Sequence, residues 1–367
     1  MKRILFLTQG DLETPSSRHR VYQYLPALEK AGYEAVVHPA VRSEEHYEAF
    51  IARTWPGLMQ RLFSTFTRRV RDLHQLRDFD YIYVQKPILP APLFNIELRI
   101  AREAKMIFDF DDAIYFKKPG GNMVAQLWPQ AQRISQICKR AHRVVVGNKH
   151  LGDFVQKLKV DPIILPTGID TDIYEEQSRY NKRDHKISVL GWVGSPATST
   201  ELNLIVPSLI DLHSKAPFVC RVIGGAPATI PVRFPIEWRD WSLEKAISDV
   251  AHLDIGLAPM RDTPWNRGKC GLKVLQYWGA GVPVVASPVG VYKQMIRDGE
   301  NGMLASNREE WTEKILALLK NADLRRKVVE GGRQTVREHY SLKALAPQFI
   351  SIFEEAEEAK IREQPIS

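Results

Sequence analysis

The sequence predicts an α/β protein with two domains, each built on a doubly wound parallel sheet covered by helices. Three observations support this prediction. Short apolar runs alternate with amphipathic helical stretches along the whole chain, which is the pattern of parallel sheets. A polar stretch without apolar periodicity, at residues 175–186, interrupts the alternation. The length of 367 residues exceeds that of most single domains.

The first domain is expected to span residues 1–174 and the second residues 187–340, with 175–186 as the linker. Strands are predicted at residues 3–8, 34–38, 80–84, 105–110, 143–146 and 162–165, and after the linker at 187–193, 218–223, 254–258 and 282–286. Helices are predicted at about residues 18–32, 56–76, 90–103, 123–140, 148–158 and 243–251. A final helix at 341–361, capped by Ser341, either closes the second domain or returns to the first.

The composition is that of an ordinary globular protein, with 44% apolar and 26% charged residues. The cysteines, Cys138, Cys220 and Cys270, form no metal-ligand or redox spacing, which suits a reducing cytosol. The apolar run at residues 1–8 is too short for a signal peptide and is expected to be the first strand. No apolar run has the length of a transmembrane helix. We therefore expect a cytoplasmic protein.

The net charge of +8 is concentrated in residues 51–150, which hold 17 Lys and Arg against 8 Asp and Glu. Such a patch suits nucleic acid, anionic lipid or a phosphorylated substrate. Nucleic acid is not expected, because the chain has no zinc-finger spacing, RNA-binding aromatic motif or basic tail. Residues 53–77 form a basic, aromatic and amphipathic pattern. This pattern fits either a helix on an anionic membrane surface or a helix packed on the sheet with a solvated basic face.

Residues 268–290 form the most informative segment. A glycine-bounded loop with Lys269 and Lys273 leads into a short helix, which is followed by a glycine turn and a buried strand. Helix N-termini at the carboxyl ends of parallel strands bind phosphates. The segment therefore predicts a diphosphate site, in which the two lysines share one face if both are helical. The alternative is an ordinary αβ unit with surface lysines.

The sequence resembles the GT-B glycosyltransferases of the retaining family-4 group, and four segments carry the resemblance. They are Ser-Ser-Arg-His-Arg at 16–20 with the following helix, Leu-Pro-Thr-Gly-Ile-Asp at 165–170, residues 268–290 with 298–302, and the terminal helix after Tyr340-Ser341. The resemblance implies two Rossmann-like domains facing across a cleft, with the acceptor in the first and a nucleotide-diphosphate sugar in the second. It also implies retention of the anomeric configuration and no required metal or other cofactor. A departing diphosphate oxygen would assist in deprotonating the acceptor.

The chain lacks two carboxylates that this family usually places in the donor segment. Gly268 and Gln276 occupy those positions, and the family's early Arg and Lys of the second domain are also absent. Lys269 and Lys273 are expected to neutralise the diphosphate instead, and Gln276 to hydrogen-bond the ribose. The Gly194-Ser195 loop is expected to add backbone N–H donors for the diphosphate at the next helix start, and Gly271 is expected in the same site. The resemblance implies that Trp238 and Arg239 lie near the nucleobase, where the aromatics equally suit a core.

Three carboxylates, Asp109, Asp111 and Asp112, stand at the end of a predicted strand. Neighbouring like charges raise one another's pKa values, so a buried strand rarely ends this way. By resemblance this strand end faces the cleft, where the three residues are predicted to act in catalysis by orienting the acceptor hydroxyl or binding the sugar. The alternatives are a helix N-cap or an ion pair with the basic patch. A metal is not expected, because no histidine accompanies the cluster.

Arg18, His19 and Arg20 open the first predicted helix, where positive side chains oppose the helix dipole. Binding of a sugar or an anionic acceptor would explain them, and so would a surface ion pair with Glu13. Lys86 follows the third strand and is expected to line the same acceptor site.

Together these features predict a glycosyltransferase of the cytoplasm, peripheral to the inner face of the membrane. It would transfer a sugar from a nucleotide-diphosphate sugar to a glycan or lipid-linked acceptor in cell-surface polysaccharide or glycoconjugate synthesis. Two alternatives are an epimerase-like nucleotide-sugar enzyme on the same fold and a catalytically silent GT-B module that binds a glycan or a partner.

Overall fold

The chain divides into two compact units, each with its own six-stranded parallel sheet. The structure, a computed structural model, describes residues 1–42, 55–88, 96–116, 130–180, 187–225 and 234–362. Unit 1 comprises Met1–Thr167, Gly268–Cys270 and Leu345–Ser367, and unit 2 comprises Gly168–Arg267 and Gly271–Ala344. The predicted α/β class with two doubly wound parallel sheets is confirmed.

The sheet of unit 1 has the order β2-β1-β3-β4-β5-β6, with all neighbouring strands parallel. Its strands are β1 Lys2–Gly10, β2 Tyr33–Val41, β3 Tyr81–Gln85, β4 Met106–Phe110, β5 Arg143–Val146 and β6 Pro162–Ile164. The accompanying helices are α1 Pro15–Arg20, α2 Leu25–Lys30, α3 Trp55–His74, α4 Ile96–Glu103, α5 Gln130–Arg140 and α6 Lys149–Gln156. The strand order reverses between β1 and β3, so the carboxyl ends of these strands border the crevice where doubly wound sheets bind ligands.

The sheet of unit 2 has the order β12-β11-β10-β7-β8-β9, again parallel throughout. Its strands are β7 Ser188–Val193, β8 Phe218–Ile223, β9 Ile236–Arg239, β10 Ile255–Ala258, β11 Val284–Ala286 and β12 Met303–Leu304. The helices are α7 Thr171–Tyr180, α8 Val206–Lys215, α9 Ala246–Ala251, α10 Pro264–Arg267, α11 Leu272–Gly279, α12 Val291–Met295, α13 Arg308–Lys320 and α14 Ala322–His339, and a 3-10 helix spans Pro196–Leu204. Here the order reverses between β7 and β10.

The terminal helix, α15 Leu342–Arg362, contributes its residues from Leu345 onward to unit 1. Phe349 and Phe353 pack among the aromatic rings of the unit 1 sheet, with Phe349 stacked on Tyr24 at a centroid distance of 4.4 Å. Ser341 caps the helix as predicted, because its Oγ accepts the N–H of Ala344. The opposite face of the same sheet carries the hydrophobic core cluster in which Leu5, Phe108 and Phe110 are buried.

All ten predicted strands are present, whereas β9 and β12 were not predicted. These two strands are short and lie at the edges of the unit 2 sheet, so little apolar periodicity marks them. The first predicted helix, 18–32, is divided into α1 and α2 by a 3-10 turn at Tyr22–Tyr24. Pro26 at the start of α2 explains the break, because proline cannot continue a helix from the preceding turn.

The expected linker is wrong over residues 175–180, which are helical in α7. Tyr174 of this helix is buried in a core cluster of unit 2, so tertiary packing stabilises a segment that looks polar in sequence. Residues 181–186 lie outside the described residues. The chain passes from unit 1 to unit 2 at Thr167–Gly168, within the 165–170 motif.

Helix α3 covers most of the basic pattern at 53–77, and part of its charge has a structural role. Arg69 is only 1% exposed and donates to the carbonyls of Thr8 and His38 as well as to Asp72. Phe66 packs against the core of unit 1. These contacts favour a helix packed on the sheet for the second half of α3, while the side chains of 53–64 lie outside the described residues. Among the described helices, none has the length and apolarity needed to cross a membrane.

Candidate functional site

In unit 1, the predicted site residues gather at the carboxyl ends of β3 and β4 and at helix α1. Asp109 lies within β4, Asp111 and Asp112 follow that strand, and Lys86 follows β3. Lys86 N–H donates to the carbonyl of Asp109, which ties the two strand ends together. This edge of a parallel sheet is where α/β proteins place their functional side chains.

Arg20 and Asp109 form a buried ion pair. Arg20 is 0% exposed, and its guanidinium contacts both carboxylate oxygens of Asp109, with Nε 3.1 Å from Oδ2. Arg20 also donates to the carbonyl of Leu165 at 2.5 Å. Neither side chain is accessible to a ligand, so the predicted direct roles of Asp109 in catalysis and of Arg20 in acceptor binding do not fit this structure. The pair instead joins α1, β4 and the segment after β6.

Lys86, Asp111, Asp112 and Ser16 form a charged cluster beside this pair. The Lys86 ammonium lies 2.6 Å from Asp111 Oδ1 and 2.7 Å from Asp112 Oδ2, and it donates to Ser16 Oγ at 3.0 Å. Ser16 Oγ in turn donates to Asp111 Oδ2. Lys86 has a φ of 59°, in the left-handed region that costs a non-glycine residue about 1–2 kcal/mol. Backbone strain of this kind is concentrated at functional sites.

Lys269 completes the cluster from the segment Gly268–Cys270. Its ammonium lies 2.7 Å from Asp112 Oδ1, so Asp112 holds two lysines. Asn148 fixes the segment, because its Nδ2 is within hydrogen-bond distance of the carbonyls of Gly268 (3.0 Å) and Lys269 (3.2 Å). Gly268 is required there, since a Cβ would lie 2.6 Å from the Cβ of Ala113.

The opposite charges in this cluster determine its protonation. Burial opposes the charge on Lys86, but Asp111 and Asp112 outweigh it and raise the pKa of the Lys86 ammonium. Burial also disfavours the Asp112 carboxylate, yet the ammonium groups of Lys86 and Lys269 lower its pKa well below the ordinary range. Lys86 and Asp112 are therefore both charged at neutral pH. Asp112, partly exposed and held by two cations, can accept a hydrogen bond from a hydroxyl group.

In unit 2, Lys273 lies at the reversal of strand order. It belongs to the first turn of α11, and its ammonium sits 4.2 Å from the centre of the Trp192 ring, a cation–π contact at the end of β7. A Cβ on Gly194 would lie 2.3 Å from the Lys273 nitrogen. The absence of a side chain at Gly194 therefore brings the backbone after β7 close to a positive charge at a helix N-terminus.

The predicted pairing of Lys269 with Lys273 on one helix face is wrong. Helix α11 begins at Leu272, after Gly271 with a φ of 80°, so Lys269 lies in the preceding loop. Because Gly271 is left-handed, the helical repeat does not extend back to Lys269. The spacing of four residues therefore does not place the two lysine side chains on one helix face. Lys269 is bound to Asp112 in unit 1, whereas Lys273 contacts Trp192 in unit 2.

The other predicted donor residues occupy mixed environments. Ser195 is exposed directly after Gly194, and Gln276 is 7% exposed on α11. On the edge strand β9, Trp238 is half-buried against a core cluster of unit 2, in agreement with the core alternative. Arg239 is exposed and paired with Glu237.

Arg18 and His19 differ from each other in exposure. Arg18 is half-buried and donates to the backbone carbonyls of Leu12 and Glu13. These contacts hold the loop that precedes α1. His19 is 7% exposed. For both residues, acceptor binding stays a prediction.

Sequence reasoning missed Ser16, Asn148 and Trp192, which contact the predicted site residues. Asn148 carried a usable signal, because asparagine directly before an amphipathic helix is a preferred N-cap, and its Oδ1 does accept the N–H of Leu151. Trp192 looks like an ordinary core residue in the sequence, and it is buried. Within the described residues, no group of three or more His, Cys, Asp or Glu side chains is arranged to hold a metal ion.

Comparisons with known proteins show which proteins this chain resembles. Residues 187–321, which contain Trp192, Gly194 and Lys273, match the family model described as glycosyl transferases group 1. A phosphatidyl-myo-inositol mannosyltransferase of Mycobacterium tuberculosis (strain ATCC 25618 / H37Rv) is 22% identical over 314 residues, covering 78% of this chain and 76% of the relative. Its namesake in Mycobacterium leprae (strain TN) is 34% identical over 86 residues, which is only 23% of either chain.

Solved structures with the same fold include glycosyltransferases. Anabaena Alr3699/HepE in complex with UDP-glucose has a TM-score of 0.70 at 10% identity, covering 97% of this chain and 100% of that chain. A glycosyltransferase from Rickettsia africae ESF-5 has a TM-score of 0.69 at 13% identity, covering 97% and 98%. The chain therefore has the GT-B fold, resembles the retaining family-4 enzymes, and is a glycosyltransferase with a group 1 domain at residues 187–321.

Proposed function

We propose that this glycosyltransferase uses a nucleotide-diphosphate sugar, whose diphosphate binds in unit 2 at the carboxyl ends of β7 and β10. The observation that carries the proposal is the Lys273 ammonium beside Gly194, at the N-terminus of α11. A cation, a helix N-terminus and a backbone without a side chain together form an anion site. The Anabaena protein, which shares this fold, was solved in complex with UDP-glucose, and this supports the same class of donor.

The positive charge at Lys273 serves the chemical step as well as binding. When the glycosidic bond to the donor breaks, negative charge develops on the departing diphosphate oxygen. An ammonium group positioned there before the reaction stabilises this charge without reorganisation. In the absence of the family's glutamates at Gly268 and Gln276, Lys273 is the residue that we assign to this role.

The acceptor is proposed to bind in unit 1 at the cluster of Ser16, Lys86, Asp111, Asp112 and Lys269. Asp112 is 20% exposed on its side chain and carries a charge at neutral pH, so it can orient an acceptor hydroxyl. The proposed acceptor is a glycan or a lipid-linked sugar or polyol. The names of the mycobacterial relatives, which are phosphatidyl-myo-inositol mannosyltransferases, support this class.

We further propose that transfer retains the anomeric configuration, that the departing diphosphate oxygen assists deprotonation of the acceptor, and that no metal is needed. Synthesis of cell-surface polysaccharide or glycoconjugate is the corresponding process. We also propose that α3 contacts an anionic membrane surface, without Phe66 and Arg69, because these two side chains pack into unit 1.

The donor proposal is tested by calorimetric titration of UDP and GDP into the wild type and Lys273→Ala. We expect one of the two nucleotides to bind. Lys273→Ala should lower its affinity about 10-fold or more, because one charge-assisted contact is lost. Lys327→Ala, an exposed lysine of α14, should match the wild type. If Lys273→Ala also matches the wild type, the diphosphate does not bind at Lys273.

The acceptor proposal is tested with Asp112→Asn, using the donor sugar that the titration identifies and a panel of glycan and lipid-linked acceptors. We expect kcat to fall about 100-fold while nucleotide affinity is unchanged, because Asp112 acts on the acceptor. Asp153→Asn, which changes an exposed carboxylate of α6, should retain full kcat. Equal kcat in the two variants would overturn the role of Asp112.

A further inference from the structure

Helix α11 carries a second residue that reaches the same strand ends as Lys273. Tyr277 lies four residues after Lys273, so the two side chains share one helix face. Long side chains on a helix point toward its N-terminus, which directs both of them toward the carboxyl edge of the sheet. Tyr277 is 0% exposed, and its ring lies on Gly256 of β10, where a Cβ would be 2.5 Å from the ring.

The Tyr277 hydroxyl lies where β7 and β10 stop pairing. The two strands pair through Ile255 with Leu190 and through Gly256 with Gly191. Beyond these paired residues, the Tyr277 hydroxyl accepts a hydrogen bond from the N–H of Val193 at 3.2 Å and donates one to the carbonyl of Leu257 at 3.1 Å. It is also 3.3 Å from the Gly191 carbonyl. A side-chain hydroxyl thus takes the place of ladder hydrogen bonds at the point where the crevice opens.

Val193 directly precedes Gly194, so the hydrogen bond from its N–H fixes the start of the loop that faces Lys273. Loss of the hydroxyl leaves a buried N–H without its partner, which favours a shift of the backbone at this point. The separation between the Lys273 ammonium and the Gly194 backbone then depends on a contact made one helical turn farther along α11.

We propose that Tyr277 is a positioning residue for the donor diphosphate: its hydroxyl sets helix α11 against the end of β7 and thereby places Lys273 beside Gly194. The proposal rests on the proposed role of Lys273 in binding the diphosphate. Tyr277 itself is buried and does not touch the donor. It acts through Lys273, and this dependence can be measured.

The test uses Tyr277→Phe, which keeps the ring on Gly256 and removes only the hydroxyl. The matched control is Thr335→Val, because Thr335 carries a buried hydroxyl of the same unit. This hydroxyl accepts from the Asn301 amide and donates to the Gly331 carbonyl. Asn301 lies just before β12, so the contact lies at the amino end of that strand, away from Lys273. UDP and GDP are titrated into the wild type, both variants, Lys273→Ala and the double variant Tyr277→Phe/Lys273→Ala. Thermal unfolding of each protein is recorded in parallel.

We expect Tyr277→Phe to lower the affinity for the nucleotide about 10-fold and Thr335→Val to leave this affinity unchanged. The same difference is expected even where the two substitutions lower the melting temperature equally. The double variant should bind no more weakly than Lys273→Ala, since residues that act through one another are not additive. Wild-type affinity in Tyr277→Phe, or additive losses in the double variant, would overturn the proposal for Tyr277. A wild type that binds neither of these nucleotides, nor ADP, CDP or dTDP titrated in the same way, would instead overturn the proposed donor class.

Discussion

Arg20 and Asp109 are an ion pair with side chains 1% and 0% exposed, joining helix α1 to strand β4 beneath the charged cluster of unit 1. Burying two charges is unfavourable unless each is fully paired, and here the guanidinium contacts both carboxylate oxygens and the Leu165 carbonyl. The position of α1 at the carboxyl edge of the unit 1 sheet therefore depends on an interaction that a ligand cannot reach.

Breaking this pair should destabilise the protein strongly. We expect Arg20→Ala to lower the free energy of unfolding by about 3–5 kcal/mol, because it leaves the Asp109 carboxylate buried without a partner. Urea denaturation followed by circular dichroism measures this change. Arg99→Ala removes an exposed pair with Glu103 and should cost less than about 0.5 kcal/mol. Equal losses in the two variants would contradict the structural role of the pair.

The lowered pKa of Asp112 predicts how stability depends on pH. A carboxyl group whose pKa is lower in the folded state stabilises the protein above its unfolded pKa, about 3.9, and the gain is lost as the pH falls toward the folded pKa. The difference in unfolding free energy between the wild type and Asp112→Asn should thus be constant above about pH 5 and shrink from about pH 4 to about pH 2.

Urea denaturation at several pH values measures this difference. Asp153→Asn, whose carboxylate is exposed and paired with Lys149, is the control, because an exposed ion pair contributes little to stability. A difference between the wild type and Asp112→Asn that is independent of pH would show that Asp112 gains no stabilisation from its lysines.

Asn148 should control access to Cys270. Burial raises the pKa of the Cys270 thiol to about 12, and the Asn148 amide lies 3.4 Å from its Sγ. Asn148→Asp keeps an N-cap oxygen for α6 but replaces the amide donor with a carboxylate that repels the nearby carbonyls. We expect Cys270 to react several-fold faster with iodoacetamide under mildly alkaline conditions in this variant.

Mass spectrometry of the alkylated peptides follows the reaction, with buried Cys138 and Cys220 as internal references. Asn321→Asp, at the N-cap of α14, changes the same residue type far along the chain and should leave the Cys270 rate as in the wild type. An unchanged rate in Asn148→Asp would mean that the amide does not hold residues 268–270.

Gly194→Ala should impair nucleotide binding without unfolding the protein. The new methyl group would lie 2.3 Å from the Lys273 nitrogen and 2.5 Å from the buried Trp192 ring, so both side chains must shift. We expect about 10-fold weaker binding of UDP or GDP by calorimetry, comparable with the loss in Lys273→Ala.

Gly152→Ala is the matched control, because its Cβ would be 3.3 Å from Ile164 within helix α6. This substitution should preserve affinity and slightly favour the helix. Binding by Gly194→Ala that equals the wild type would show that the space above Trp192 is not used by the donor.

The order of amino acids was enough to establish the fold class and ten of the twelve strands, because the period of apolar residues reflects which side chains a parallel sheet must bury. It also located the carboxylates after β4 and the lysines around α11. These are local properties, since each depends on residues adjacent in the chain.

The partners of those side chains became known only from the folded chain. The left-handed backbone at Gly271 separated Lys269 from Lys273 and left Lys269 to Asp112, which is 157 residues away in sequence. In the same way, Arg20 pairs with Asp109 and the Tyr277 hydroxyl accepts the N–H of Val193, and both contacts join segments that are distant in sequence. Charge and hydroxyl positions are visible in a sequence, but the pairing of such groups depends on which strand ends the folded sheet brings together.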